Sequence, residues 1–308
     1  MKPDDSKILL ESGTNKFGLL EFLVGGNSYG INVAKVRELL QHRQVQPMPH
    51  AQPGIEGVFS NRNELLTVID LATYLNHPDT ENADRDIFII TEFNKTSYAF
   101  HVHEVVEIHW ISWEAIEKPN SAIFGGDDGV VTGVAKTKGK LISILDFEKI
   151  MADINPHTTV AAAADAIKPP ITEDTSHSIL VAEDSMVLRK MIADALHKAG
   201  YVNVITKDNG QDAWDFLQTL KEENGPVEKQ ISCLITDIEM PQMDGLRLTK
   251  LVKDSKTLSK LPVIVFSSLI TEQMALKCME VGADAQLSKP QIHLLIGMMK
   301  ELLKSKGL

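Results

Sequence analysis

The sequence is short of cysteine and of basic charge, and it lacks a long apolar run. Only Cys233 and Cys278 are present, which excludes a disulfide framework and predicts a reducing, cytoplasmic compartment. With 31 basic and 42 acidic residues the formal charge is -11, whereas binders of nucleic acid or membrane surfaces need a basic face. The longest uncharged apolar stretch, residues 261–271, is too short to span a bilayer, and the acidic N-terminus is not a secretory signal. We therefore expect protein or cation partners, no nucleic acid and no membrane insertion.

A low-complexity segment divides the chain. At about 150 residues per domain, 308 residues predict two domains. Residues 153–177 contain four consecutive alanines, three prolines and no hydrophobic periodicity, which is typical of a tether. The predicted organisation is a domain at 15–152, a linker at 153–177 and a second domain at 178–308.

The N-terminal half reads as antiparallel strands and repeats itself. Short alternating apolar runs flank turn residues at 25–27 and 137–139, the pattern of hairpins. SYGINVAKVREL at 28–39 returns as SYAFHVHEVVEI at 97–108, and GVFSNRNELLTVIDL at 57–71 returns as GVAKTKGKLISILDF at 133–147. A spacing near 70 residues is too long for a solenoid. We expect two similar small β-barrels made by duplication, with a groove that suits docking.

The C-terminal half alternates apolar runs with helical patterns. The runs SILVAED, VNVITK, ISCLITD, PVIVFSS and AQLSKP are separated by segments whose apolar residues recur at i, i+3 and i+4. This alternation predicts a parallel sheet covered by helices. In one such helix, which also holds Met274, Leu276 and Met279, Cys278 is expected at an inward position and not in a redox role.

Chemically active side chains follow four of these strands. Glu183 and Asp184 follow the first, Asp237 the third, Ser267 ends the fourth, and Lys289 follows the fifth. Ligands of parallel sheets bind at the carboxyl ends of the strands. Carboxylates gathered there repel one another unless a cation or a lysine joins them.

Mg2+ suits such an oxygen-rich site, since it accepts one or two carboxylates and keeps waters for phosphate oxygens. We predict Asp184 and Asp237 as direct ligands, Glu183 as a water-mediated one, and the backbone carbonyl of Glu239 as a further oxygen. Asp237 is the candidate nucleophile, because a carboxylate can accept a phosphoryl group. Lys289 supplies a point charge and Ser267 a hydroxyl donor for that group. The structural alternative is that the residues after the first strand, Asp184 or Ser185, simply cap a helix starting near Met186.

These residues resemble the receiver domains of two-component response regulators over about 178–308. The shared features are the acidic pair, the Asp-x-x-Met-Pro-x-x-Asp-Gly run at 237–245, the hydroxyl residue, Gly-Ala-Asp at 282–284 and Lys-Pro at 289–290. The resemblance implies a five-stranded flavodoxin-like fold that a histidine kinase phosphorylates on Asp237. The chain departs from the family at Gln286, where an aromatic switch residue is usual, and at Ser267, where threonine is commoner.

Residues 15–152 resemble CheW, the adaptor that links chemoreceptors to the histidine kinase CheA. The resemblance rests on Tyr-Gly-Ile at 29–31, Gly-Val at 57–58 and 133–134, Asp-Leu at 70–71 and Ile-Leu-Asp at 144–146. It implies a double SH3-like barrel and an adaptor interface around Val36, Glu38, Gly57 and Arg62. The family's usual Asn-Leu-Arg-Gly turn is Ser-Asn-Arg-Asn at 60–63 here, which keeps the arginine as Arg62 but loses the leucine and the glycine. A CheW-like domain tethered to a receiver is the arrangement of the CheV family.

We expect a multidomain chemotaxis adaptor that couples chemoreceptor cytoplasmic tips (methyl-accepting chemotaxis proteins) to CheA and is regulated by phosphorylation of Asp237. It is not expected to be an enzyme. Three alternatives stay open: a receiver that mainly drains phosphate from the kinase, a phosphohydrolase with an Asp nucleophile, and a transcription regulator. The last lacks a basic helix-turn-helix.

A histidine pair lies outside these motifs. His101 and His103 are two residues apart on a predicted strand and therefore share a face. A metal site there would need a thiolate or a carboxylate at ligand spacing, and the local sequence offers neither. A polar strand face is the expectation.

Overall fold

The computed structural model describes residues 15–62, 64–79, 85–93, 96–117, 129–154, 177–223, 227, 230–268 and 272–307. They form two compact units, and each is described by itself. Residues 155–176 of the predicted linker lie outside the described ranges. Within those ranges, no helix is both long and apolar enough to cross a membrane.

The N-terminal unit is built from strands and two short helices. Its elements are β1 (Lys16–Val24), β2 (Asn27–Asn32), β3 (Val36–Gln41), β4 (Ile55–Asn61), β5 (Glu64–Asp70), α1 (Leu71–Tyr74), β6 (Ile87–Phe93), β7 (Thr96–Val102), β8 (Glu104–Ser112), β9 (Ile116–Glu117), β10 (Val131–Thr137), β11 (Lys140–Leu145) and α2 (Phe147–Ile154). The predicted hairpins at 25–27 and 137–139 are present as the β1–β2 and β10–β11 pairs. The helix α2 ends at Ile154, two residues past the predicted end of the domain.

Two sheets share one strand order. The first sheet runs β8-β1-β2-β11-β10-β9 and the second β3-β6-β7-β5-β4. The β1–β2 hairpin of the first repeat lies between β8 and β11 of the second repeat. Conversely, the β6–β7 hairpin of the second repeat lies between β3 and β5 of the first. Each sheet is therefore assembled from both copies of the duplicated sequence.

The register of the two sheets is equivalent residue by residue. Tyr29 of β2 pairs with Ser143 of β11, and in the second sheet Tyr98 pairs with Thr67 in the same parallel arrangement. A bridge between Gln46 and Val58 joins the chain after β3 to β4, the opposite edge of the second sheet. The repeats seen in the sequence thus mark equivalent structural positions.

Three phenylalanines pack together in the largely aliphatic core between the two sheets. Phe147 of α2 packs edge-on against Phe22 of the first sheet and Phe100 of the second, at centroid distances of 6.3 and 4.6 Å. The helix α1 starts at its cap, Asp70, whose Oδ1 accepts the backbone N–H of Ala72. The Asp-Leu motif therefore turns the chain from a strand into a helix that closes the core.

The C-terminal unit has the predicted parallel sheet. Its elements are β12 (Ser178–Ala182), α3 (Met186–Lys198), β13 (Asn203–Lys207), α4 (Gly210–Glu223), β14 (Cys233–Thr236), α5 (Gly245–Asp254), β15 (Val263–Ser267), α6 (Glu272–Glu280), β16 (Ala285–Ser288) and α7 (Ile292–Lys306). The five strands are parallel in the order β13-β12-β14-β15-β16, which confirms the flavodoxin-like fold.

Successive residues of β12 pack alternately into two separate hydrophobic cores. Ile179 and Val181 pack on the face covered by α3 and α7, and Leu180 and Ala182 pack on the face covered by α4 and α5. A strand buried on both faces reads as a continuous apolar run, which is why β12, β14 and β15 could be recognised in the sequence.

The predicted inward position of Cys278 in α6 is confirmed. Met274 and Cys278 are buried, but Leu276 and Met279 are 57% and 59% exposed. Met274 and Cys278 are four residues apart and share a helix face. Leu276 lies two residues from either and turns outward.

Candidate functional site

The candidate phosphoacceptor site lies at the carboxyl ends of the central strands. Ala182 at the end of β12 pairs with Thr236 at the end of β14, so Glu183 and Asp237 leave the sheet side by side. Ser267 at the end of β15 pairs with Ser288 of β16, the residue before Lys289. Parallel strands thus carry the predicted groups to one edge.

Lys289 forms ion pairs with two carboxylates at this edge of the sheet. Its Nζ lies 2.8 Å from Oδ2 of Asp237 and 3.1 Å from Oε2 of Glu183. The three side chains are 4% exposed or less, so these charges interact with little solvent screening. A single ammonium group therefore holds two buried carboxylates.

A third carboxylate completes an oxygen-rich cluster. Glu183, Asp184 and Asp237 each offer a ligand atom, and these atoms lie within 4.8 Å of one another. Ser185, not Asp184, caps α3, since its Oγ accepts the backbone N–H of Leu188. The capping role that could have explained Asp184 is thus taken by its neighbour.

The loop after Asp237 depends on a close backbone approach. Oδ1 of Asp237 accepts the N–H of Ile238 at 2.6 Å. A Cβ on Gly245 would lie 1.7 Å from the carbonyl oxygen of Asp237, so only glycine fits there. Asp244 caps α5 by accepting the N–H of Arg247; burial raises its pKa to about 6, outweighing the hydrogen bonds that lower it. The Asp-Gly pair of the motif therefore shapes the loop that follows Asp237.

The other predicted receiver residues surround this cluster. Ser267 is fully buried at the end of β15. Glu239 is half-buried, two residues beyond Asp237. Gln286 lies in β16, and its Oε1 atom is buried without a hydrogen-bond partner among the described residues.

Sequence reasoning missed Arg189. This α3 residue donates from Nη1 to the carbonyl oxygen of Glu183 at 2.7 Å, and its Nη2 lies 3.1 Å from Asp208. It fastens the acidic loop from outside the cluster. An arginine inside an ordinary helix pattern carries no signal of such a role.

Two of the four predicted adaptor residues come together on the second sheet. Arg62 stands at the tip between β4 and β5, is 80% exposed, and places Nη2 3.4 Å from Oε2 of Glu38 on β3. Asn61 donates to the other oxygen of Glu38 at 3.0 Å. Beside them Arg37 pairs with Glu64 at 2.6 Å. This charged surface links β3 to the hairpin tip.

The other two lie elsewhere. Val36 is half-buried against the core between the sheets. Gly57 has a φ of 153°, and a Cβ there would lie 2.2 Å from the carbonyl oxygen of Gln46. The structure thus gives Gly57 a steric reason to be glycine.

The comparisons with known proteins agree with this architecture. The description "CheW-like domain" matches residues 18–155, and "Response regulator receiver domain" matches residues 179–299. The chemotaxis protein CheV3 of Helicobacter pylori (strain ATCC 700392 / 26695) is 33% identical, over 89% of this chain and 88% of its own length. The chain belongs to the CheV family. CheV1 of the same strain is 27% identical over 89% of each chain. The crystal structure of the scaffolding protein TtCheW from Thermoanaerobacter tengcongensis is 24% identical, covers 42% of this chain and 84% of its own, and has a TM-score of 0.39.

Membership of the CheV family confirms the resemblance drawn from the motifs. A CheW-like domain precedes a receiver domain, as predicted, and the relatives place the chain among chemotaxis adaptors.

Proposed function

We propose that this CheV-type chain couples chemoreceptor cytoplasmic tips to the histidine kinase CheA, in the cytoplasm, and that phosphorylation of Asp237 regulates the coupling. The observation that carries the receiver part is the buried contact of Lys289 with Asp237 and Glu183. The adaptor part rests on the CheW-like domain.

The phosphoryl step needs a carboxylate nucleophile and groups that neutralise the transferring oxygens. A carboxylate oxygen of Asp237 attacks the phosphorus of a phosphohistidine on the kinase. The O–P bond forms as the N–P bond breaks, and the leaving imidazole nitrogen keeps the electron pair. Lys289 neutralises charge on the phosphoryl oxygens, and the Ser267 hydroxyl donates to one of them.

The residues present fit a bound Mg2+. Three carboxylates converge and one ammonium group contacts two of them, so an added cation offsets their excess negative charge. Asp184 and Asp237 would hold it directly, with Glu183 through water and the carbonyl of Glu239. When bound, the ion supplies charge neutralisation for the transferred group.

The signal leaves the site through α6, in this proposal. The family's aromatic switch position holds Gln286, whose side chain cannot fill an apolar pocket as a ring does. Its buried, unpartnered Oε1 gives the amide a reason to shift. Inward movement of Ser267 and Lys289 toward a phosphoryl group biases the neighbouring α6, whose exposed Leu276 and Met279 are available to a partner.

The adaptor surface is centred on Glu38 and Arg62, with Val36 and Gly57 shaping its support. Exposed arginines are enriched at interfaces, and Arg62 stands clear of the sheet at the hairpin tip. On β8 of the first sheet, Val106, Ile108 and Trp110 are exposed on one face. Apolar side chains aligned in this way suit docking of another protein.

Labelling by phosphorylated CheA tests the receiver part. Asp237→Asn should abolish labelling of the full chain, and chelation of Mg2+ should do the same. Asp254→Asn is the matched control, because Asp254 is a 67% exposed carboxylate paired only with Lys250 among the contacts seen; it should label as wild type. Asp184→Asn should require about tenfold more Mg2+. Undiminished labelling of Asp237→Asn would rule this site out.

A pull-down with a receptor tip and CheA tests the adaptor part. The full chain should retain both partners, and beryllofluoride should change the amount retained. If the chain is labelled but retention does not change, the phosphate-sink alternative is correct. Turnover of a small phosphate ester would instead identify a phosphohydrolase.

A further inference from the structure

A cluster of two histidines and two carboxylates lies at one end of the second sheet. His42 follows β3, Glu56 lies in β4, Asp86 precedes β6 and His101 lies in β7. Nδ1 of His101 lies 2.8 Å from Oε2 of Glu56, and Nε2 of His42 lies 3.8 Å from Oε1 of the same residue. The carboxylates that the local sequence around His101 lacks are supplied by distant strands.

The spacing of these atoms suits a small metal ion. The ligand atoms of His42, Glu56 and His101 lie within 4.8 Å of one another. Tetrahedral zinc with bonds near 2.0 Å sets its ligand atoms about 3.3 Å apart. The two contacts to Glu56 therefore lie about 0.5 Å to either side of that distance, within the reach of small side-chain rotations.

Asp86 provides the supporting contact that metal-bound histidines have. Its Oδ2 lies 3.1 Å from Nε2 of His101, and the residue is 2% exposed. A carboxylate that accepts the second N–H of a histidine fixes the tautomer that leaves the other nitrogen for a metal. Oδ1 of Asp86 is buried with no hydrogen-bond partner among the described residues, so this buried charge calls for a cation nearby.

The two rings are held in place before any ion binds. His42 and His101 stack at 4.8 Å, and the buried ring of Phe88 packs edge-on against both. The backbone N–H of His42 donates to the carbonyl of Asp86. The side chains of His42 and Glu56 remain 31% and 27% exposed, which gives an ion access from solvent.

The related first sheet shows that the fold does not need this cluster. Asn32 is equivalent to His101, since each pairs with an equivalent strand residue, Leu19 or Phe88. The same equivalence places Phe17 at the position of Asp86. An amide and a phenyl ring thus stand where the second sheet has a histidine and a carboxylate.

We propose that His42, Glu56 and His101 bind a Zn2+ ion, with Asp86 orienting His101 and water completing the coordination. The ion would tie together the ends of β3, β4 and β7.

Cobalt substitution in the full chain tests this site. With saturating Mg2+ present to load the receiver, one equivalent of Co2+ should produce the intense visible bands of a four-coordinate histidine site, and Zn2+ should displace it. An all-oxygen octahedral site gives only weak bands. Glu56→Gln and His42→Asn should each weaken binding more than tenfold, and Asp86→Asn by tenfold or more.

His50→Asn is the matched control, because His50 is exposed and its φ of 58° suits asparagine; it should bind as wild type. Zn2+ should also raise the melting temperature of wild type and His50→Asn, and leave that of Glu56→Gln unchanged. The proposal is overturned if no intense bands form, if they survive both Glu56→Gln and His42→Asn, or if Asp184→Asn alone removes them.

Discussion

The two sheets of the adaptor domain are the same structure carrying different side chains. Arg62 and Glu38 of the second sheet correspond to Lys138 and Glu107 of the first, and both pairs form an ion bridge across the hairpin tip. Arg62 and Lys138 even share a φ of 47°. Duplication therefore preserved backbone geometry and an exposed ion pair at both tips.

The two sheets differ more in their buried side chains than in the exposed ion pairs at their hairpin tips. In the first sheet Glu21 is fully buried, and its Oε2 lies 2.7 Å from Nε2 of His109. The equivalent positions in the second sheet hold Ile90 and Leu40, which pack in an apolar core. The second sheet instead places its charged groups at its end, in the His42 cluster. The same sheet backbone thus accommodates a buried polar pair in the first sheet and a cluster of charged groups at the end of the second sheet.

The largest effect is expected where the second sheet depends on a glycine. Gly57→Ala should lower the free energy of unfolding of the domain by about 4 kcal/mol. The clash of the new Cβ with the Gln46 carbonyl accounts for about 3 kcal/mol of this loss, and the positive φ for about 1 kcal/mol. Gly139→Ala shares a positive φ but meets nothing within 4 Å, so it should cost only about 1 kcal/mol. Calorimetric unfolding of the full chain would measure both. Equal losses would show that the clash is relieved by backbone movement.

The buried pair of the first sheet should come next. His109→Leu alone should cost about 3 kcal/mol, because the buried carboxylate of Glu21 keeps Ser28 and Lys140 but loses its buried histidine contact. Glu21→Ile together with His109→Leu copies the apolar pair of the second sheet and should recover most of that loss. Urea unfolding would measure the series. A double variant as unstable as the single one would mean that the two interiors are not interchangeable.

Acid should weaken the first sheet through Glu21. Burial raises the pKa of this residue, but hydrogen bonds from His109 and Ser28 and the charge of Lys140 outweigh it, so the pKa lies below the ordinary 4.5. The folded state therefore favours the carboxylate, and this stabilisation is present above pH 4.5 and is lost as the pH falls through the lowered pKa. The stability difference between wild type and Glu21→Gln should narrow on acidification. A constant difference across that range would contradict the assignment.

The exposed bridges should matter least for stability. Arg62→Ala and Lys138→Ala should each change it by less than about 0.5 kcal/mol. If the adaptor surface is on the second sheet, Arg62→Ala should reduce retention of CheA or receptor about tenfold, and Lys138→Ala should leave it unchanged. Equal losses of retention would assign both hairpin tips to the interface.

The receiver was predictable because its signals are local. The strands β12, β14 and β15 are apolar runs buried on both faces, and the predicted acidic, hydroxyl and lysine side chains lie within two residues of a strand end. The exchange of hairpins between the sheets was not predictable, because a hairpin from either repeat presents an equivalent pattern to its neighbours. The proposed zinc site was not predicted from the sequence, because residues 42, 56, 86 and 101 follow no motif spacing and come together only in the tertiary structure. The outward Leu276 and Met279 show that apolar identity alone does not fix a helix face.

The exchange of hairpins also dictates an order of events on the ribosome. The first repeat emerges with β3, β4 and β5, yet the two strands that separate β3 from β5 are β6 and β7 of the second repeat. Until that hairpin is synthesised, the edges of β3 and β5 that contact it have no partner, and unpaired edges favour aggregation. The first sheet is completed later than the second, because its strands β10 and β11 are the last of the domain to be synthesised. Both sheets of the domain can therefore form only after the second repeat has been synthesised. A stalled or truncated chain that ends between the repeats contains neither complete sheet.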